Sequence, residues 1–134
     1  MADQIRLEVV TPEREVFHAM VESFVVPAEI GPTAILYNHA PLVTVLKQGV
    51  LRYQKDGVEG KIALGNGFLE VRENEAELLV SWAQLAEDID VARAIAARDR
   101  ARKRLREHAA GLDEARAQAA LERALARLQV VNGN

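Results

Sequence analysis

The chain contains no cysteine in its 134 residues, so disulfides and thiolate metal sites are excluded and a reducing compartment suits it. Its three histidines, His18, His39 and His108, are too scattered to suggest a ligand cluster. No run of about 18 apolar residues occurs, so no helical membrane span is expected. Met1-Ala2-Asp3-Gln4-Ile5-Arg6 lacks the apolar stretch and small-residue cleavage site of a secretory signal, and a soluble, cytoplasmic chain is expected. Missing too are a GxSxG elbow, an HExxH helix and a Walker loop, which leaves hydrolase and nucleotidase readings without a nucleophile or phosphate cradle.

What is there is a break in character at about Glu87. Residues 1–87 carry 7 Lys+Arg against 13 Asp+Glu, and residues 88–134 carry 10 against 7. An acidic first part followed by a basic second part looks more like a docking body with a movable arm than an enzyme. The length leaves room for one principal core and one small appendage.

The first part reads as short strands. Ile5, Leu7 and Val9 alternate with Arg6 and Glu8, a period of two with one buried face. Strand character continues over Val21 to Val26, Leu42 to Leu46, Val50 to Tyr53, Val58 to Leu64, Phe68 to Val71 and Glu77 to Val80. Asp56-Gly57 is a strong hairpin turn because both positions tolerate positive φ, and Asn74 marks another turn. Turns every eight to twelve residues predict a β-sandwich or flattened barrel. Gly65-Asn66-Gly67 falls between strands rather than before a helix, so it reads as a turn and not a phosphate loop. The dense carboxylates Glu70, Glu73, Glu75 and Glu77 fit alternating polar positions on exposed strands.

The second part predicts an antiparallel helical hairpin, making the fold class α+β. Asp88 or Asp90 can cap the first helix and Asp113 the second, because a carboxylate accepts the free amide hydrogens at a helix start. Ala92, Ile95, Ala96, Leu105 and Ala109 form a thin apolar stripe on the first helix, with the helix ending at His108-Ala109-Ala110-Gly111. Ala117, Ala120, Leu121, Ala124, Leu125 and Leu128 match it on the second. Alanine contacts bury little area, so a weakly held, movable hairpin is expected. Arg98, Arg100, Arg102, Lys103, Arg104 and Arg106 crowd the first helix. A solvated face is the plain meaning of such a run. Net negative charge and the lack of any aromatic residue in the hairpin argue against nucleic-acid binding.

Two segments are more specific: Val9-Val10-Thr11-Pro12-Glu13-Arg14-Glu15-Val16-Phe17 with Ala34-Ile35-Leu36-Tyr37-Asn38-His39-Ala40-Pro41-Leu42, and Ile89-Asp90-Val91-Ala92-Arg93-Ala94. In this order and spacing, with Gly67-Phe68-Leu69-Glu70-Val71 and Arg123-Ala124-Leu125-Ala126-Arg127-Leu128, the chain resembles the epsilon subunit of F-type ATP synthases over nearly its whole length. The resemblance implies a non-catalytic rotor subunit, peripheral on the cytoplasmic face of the bacterial inner membrane, that couples proton translocation to ATP synthesis. Its sandwich, residues 1–87, would contact the gamma subunit and the ring of c subunits. The hairpin, residues 88–134, would fold against the sandwich or extend towards the catalytic alpha and beta subunits, where it inhibits ATP hydrolysis. A free-standing β-sandwich ligand-binding module with a basic helical tail is the alternative.

By position, the loop Glu29-Ile30-Gly31-Pro32-Thr33 matches the family's c-ring contact, and His39, Ala40, Leu42 and Thr44 match the region facing gamma. Pro32-Thr33 and Tyr37 depart from the usual family residues, and a stiff Pro32 should alter the loop. Ile89-Asp90-Val91-Ala92-Arg93-Ala94 matches the pattern of epsilon subunits that bind ATP on the folded hairpin. Arg93 and Arg100 lie on nearly one face of the first helix, and Arg123 and Arg127 share a face of the second. Four converging guanidinium groups repel unless an anion sits among them, and arginine forks suit a triphosphate. Asp90 could orient Arg93 or contact the nucleoside, or simply cap the helix. Gln84 stands where ATP-binding members often have glutamate. Whether magnesium accompanies the nucleotide is not fixed by these residues, and no protein metal site is expected.

Overall fold

The alternation in Ile5–Val10 (β1) does bury one face: Ile5, Leu7 and Val9 are fully enclosed. In the computed structural model, which describes residues 3–108 and 111–132, this strand is followed by nine more. They are Glu15–Val21 (β2), Ser23–Ala28 (β3), Gly31–Leu36 (β4), Leu42–Leu46 (β5), Gly49–Lys55 (β6), Val58–Leu64 (β7), Gly67–Arg72 (β8), Glu75–Val80 (β9) and Ala83–Leu85 (β10). A single 3-10 turn, Ala86–Asp88, leads to two helices, Val91–Glu107 (α1) and Glu114–Val131 (α2).

The strands form one folded-over sheet in the order β10-β7-β6-β3-β5-β8-β9-β1-β2, with β4 added on β3. All pairings are antiparallel except β1 with β9. The result is a nearly closed sandwich whose core holds Phe24, Ile35, Leu46, Leu51, Ile62, Leu64, Leu69 and Leu78 beside the β1 residues. Each such side chain contributes about 1.5–3 kcal/mol by leaving water. Stacking of Phe17 on Tyr53, with ring centroids 5.0 Å apart, joins β2 to β6 where no ladder does.

Turn chemistry explains the hairpins. Asp56 and Gly57 adopt φ of 52° and 76°, and Glu73 and Asn74 adopt 52° and 61°. Two successive residues with positive φ give the tight turn that matches strand twist. Asn74 gains a second function there. Its Oδ1 accepts the Asn38 backbone N–H at 2.7 Å and its Nδ2 donates to Asn38 Oδ1 at 3.0 Å, linking two turns.

Several expectations are corrected. Strand character over Val21 to Val26 is interrupted at Glu22, where β2 ends and β3 begins. Glu22 there accepts the backbone amides of Asp56 and Gly57. The span Glu29 to Thr33 is not an open loop. Only Glu29 and Ile30 lie between strands, while Pro32 and Thr33 belong to β4, with Pro32 opposite Pro27. Proline is tolerated because β4 is an edge strand, which needs no donor on its outer side.

On α1 the apolar stripe is rotated from the expected one. Ala94 and Ala101 are buried, whereas Ala92, Ile95 and Ala96 are exposed and Leu105 is half-buried. In a helix so rich in alanine, small residues occur on every face and the phase is set by packing rather than composition. Ala109 and Ala110, assigned to the end of this helix, lie outside the described residues. The α2 stripe holds, with Ala117, Ala124 and Leu128 buried and Ala120, Leu121 and Leu125 half-buried. Asp90 caps α1, accepting from the Arg93 N–H at 3.1 Å, and Asp113 caps α2, accepting from the Arg116 N–H at 3.0 Å.

The helices pack mainly on each other, and α2 lies over β6 and β7. That contact is small: Ala126 and Val130 meet Ala63 and Ile89, with Val50, Trp82 and Val131 at the rim. Among the described residues no helix is long and apolar enough to cross a membrane.

Candidate functional site

The helical hairpin carries arginines on the faces that turn towards each other. A groove of about 700 Å³ between α1 and α2 is lined by Arg100, Arg104, Arg116, Arg123 and Arg127, on a floor of alanines. Asp113 is the one carboxylate in its lining, and it is engaged as the α2 cap. None of these arginines forms an ion pair among the described residues.

Arg127 stands at the inner end. Its Nε donates to Gln84 Oε1 at 2.6 Å, and its guanidinium lies over the Trp82 ring, 4.5 Å from the centroid. Burial first, and then the charges of Arg123 and Arg93, lower its affinity for the proton. Desolvation penalises any charged group. An arginine stays protonated regardless. Trp82 is fixed in turn by Gln48, whose Oε1 accepts the indole N–H at 3.3 Å while its Nε2 donates to the Ala119 carbonyl at 2.9 Å.

Of the residues singled out in the sequence, the structure brings together Gln84, Arg100, Arg123 and Arg127, with Arg93 close enough for its charge to act on Arg127. Asp90 uses its carboxylate as a cap. Ile89 and Ala94 are buried in packing contacts. In the sequence Arg104 reads only as part of a solvated basic run, and Arg116, Trp82 and Gln48 are not singled out. A signal existed for the first two: Arg104 follows Arg100 by four residues and Arg116 precedes Arg123 by seven, spacings that share a helix face.

The sandwich presents two further patches. On one, Val45, Phe68 and Leu79 sit in directly paired positions of β5, β8 and β9, all exposed, with Val10 continuing the row on β1. Pairing positions alternate faces, so Leu42 and Thr44 are half-buried while Val43 and Val45 point outwards. His39 and Ala40 lie in the turn between β4 and β5, where the imidazole Nδ1 is 2.7 Å from the Ala40 carbonyl. At the β3–β4 tip Glu29 and Pro32 are exposed and Thr33 Oγ1 donates to the Gly31 carbonyl at 3.0 Å. Ile30 there is 89% exposed.

Two residues along β1, β8 and β9, the same outer face turns acidic. Glu8, Glu77 and Glu70 form one row across β1, β9 and β8. A hydrogen bond with the Glu8 carboxyl, partial burial and the charges of Glu8 and Glu70 hold Glu77 above the ordinary carboxylate range. Among the described residues no group of side chains could hold a metal ion.

Two family models cover the chain: the ATP synthase delta/epsilon chain β-sandwich domain over residues 4–86 and the delta/epsilon long α-helix domain over residues 87–132. The chain belongs to the ATP synthase epsilon family. The epsilon chain of Symbiobacterium thermophilum is 49% identical over 96% of this chain and 93% of its own length. That of Brevibacillus brevis is 49% identical over 95% and 97%. Among solved structures, a chain of the Euglena gracilis mitochondrial ATP synthase assembly superposes with a TM-score of 0.79 at 19% identity, covering 96% of this chain and 81% of that one, a likeness of fold. Epsilon chains are non-catalytic subunits of ATP synthase.

Proposed function

We propose that this epsilon chain is a coupling and regulatory subunit of the F-type rotor whose folded hairpin binds ATP. In this reading the sandwich docks on the gamma subunit and the c ring at the cytoplasmic face of the membrane. The hairpin, when extended towards the alpha and beta subunits, inhibits ATP hydrolysis. The observation that carries the nucleotide reading is the set of unpaired guanidinium groups sharing one groove. Arg100, Arg123 and Arg127 in the groove, with Arg93 near enough for its charge to act on Arg127, then hold the triphosphate as forks on its oxygens. Gln84, already accepting from Arg127, keeps its amide N–H groups free to donate to an adenine edge.

A ligand shifts an equilibrium only by its differential affinity for the two states. The groove exists only while α1 and α2 lie side by side, so ATP favours the folded arm and relieves inhibition when ATP is plentiful. The exposed row Val45, Phe68 and Leu79 supplies the apolar patch expected of a docking face, and the Ile30 tip is a second, smaller one.

Calorimetric titration of the full chain with ATP, with ADP as comparison and with and without magnesium, tests the nucleotide reading. Saturable, ATP-preferring heat that disappears in Arg93→Ala and Arg127→Ala is expected. Heat unchanged by both substitutions, or none at millimolar ATP, overturns it.

A further inference from the structure

We propose that the arginine groove accepts a linear condensed phosphate longer than a triphosphate, with Arg104 and Arg116 forming an outer subsite at the hairpin tip. The proposal rests on the groove being an anion site, but not on the ligand being a nucleotide.

Length is the first ground. Arg116, Arg123 and Arg127 follow one another along α2, and eleven residues at 1.5 Å each make a lined track of about 16 Å. A triphosphate is shorter than this track and does not fill it. The nucleotide reading occupies the inner end, where Gln84 and Trp82 stand beside Arg127. It leaves Arg104 and Arg116 facing the same groove with nothing to neutralise them.

Charge is the second ground. Five guanidinium groups face one carboxylate, Asp113, across a space of about 700 Å³. Other cations on the hairpin are disposed differently. Arg98 pairs with Asp99 at 3.0 Å, and Arg102 and Lys103 are exposed outside the groove lining. Arg93 and Arg106 also lie outside the lining, so five of the hairpin's ten cations share this one groove with a single carboxylate.

Shape selects phosphate over an acidic peptide. Both walls contribute arginines, Arg100 and Arg104 from α1 and Arg116, Arg123 and Arg127 from α2, and every unit of a phosphate chain offers oxygens that either wall can engage. A glutamate or aspartate side chain presents one carboxylate at its tip and needs added width for its backbone. Longer chains therefore engage successive arginine pairs, and affinity grows with length until the track is filled.

The test is titration of the full chain with linear inorganic phosphates of increasing length, starting from triphosphate, with polyglutamate and ATP as comparisons. Affinity should rise beyond triphosphate by about tenfold for each further arginine engaged. Arg104→Ala with Arg116→Ala should abolish that rise while leaving ATP affinity unchanged. Arg102→Ala with Lys103→Ala should leave both intact. A plateau at triphosphate overturns the outer subsite. So does equal loss in the Arg102/Lys103 variant, which marks diffuse attraction to a basic helix, or equally tight polyglutamate binding. Long-chain binding without ATP binding removes the nucleotide reading and keeps this one. ATP binding with a plateau does the reverse.

Discussion

Arg127 and Gln84 join the second helix to the last strand through one charge-assisted hydrogen bond of 2.6 Å, between residues 43 positions apart in sequence. The Trp82 ring lies beneath the same guanidinium, so one side chain makes two contacts between arm and body. Arg127→Ala should loosen α2 by about 2 kcal/mol, the sum expected for a charged hydrogen bond and a partly buried cation–π contact. Amide exchange along α2 should accelerate while exchange in β5, β8 and β9 stays put, and Trp82 fluorescence should shift to the red. Uniform acceleration over the sandwich would refute the local reading.

The acidic row predicts a pH effect of definite sign. Because Glu77 binds its proton more tightly when folded than the ordinary value of 4.5, the folded state holds more protons than the unfolded one in that window. Stability therefore falls as pH rises from the ordinary carboxylate value through the raised one. Glu77→Gln should flatten this fall and raise the melting temperature at neutral pH. Melting curves of both forms across acid to neutral pH decide it: a variant less stable than the parent at neutral pH contradicts the assignment.

Phe68 is 54% exposed, so Phe68→Glu should cost the isolated fold little. Placed at the centre of the apolar row, a carboxylate should abolish co-purification with the gamma subunit. Val58→Glu, at an exposed apolar position on β7 away from this row, should leave it intact. Equal assembly of both variants would move the docking face elsewhere.

Gly67 predicts a backbone limit. A Cβ at this position would collide with the Leu79 carbonyl oxygen on the paired strand, which cannot step aside as a side-chain end could. Gly67→Ala should therefore lower stability by about 3 kcal/mol, at the upper end of ordinary overpacking. Urea denaturation gives the value directly, and a change near zero would mean that β8 and β9 can spread.

How much the sequence disclosed varied with how strongly each segment's chemistry bore on its geometry. Asp56-Gly57 announces its turn because few other residue pairs tolerate positive φ twice. By contrast, β2 is nearly silent. Burial alternates from Phe17 to Val21 but is shallow, and the apolar Met20 on the outer side blurs the pattern in the sequence. The start of β4 was hidden by Gly31-Pro32, a pair that reads as a turn and is here an edge strand. In the groove, arginine spacing along each helix was legible as far as Arg93, Arg100, Arg123 and Arg127. Which α1 arginine meets which on α2 depends on how the hairpin is phased about its connection, and periodicity within one helix carries no information on that. Gln48 and Trp82, neither of them charged, gave no sign at all until the fold placed them under α2.

The parallel pairing of β1 with β9 bears on how the arm can leave. This seam is closed by the sandwich's own strands, and α2 contributes no strand to the sheet. Every described hydrogen bond between α2 and the body uses a side chain of Gln48 or Gln84. Detaching the hairpin breaks no rung of a ladder and opens no sheet edge. In the proposed extended state the body would remain a socket whose sheet is whole, and the threshold for release would be set by single side chains such as Gln48 and Gln84.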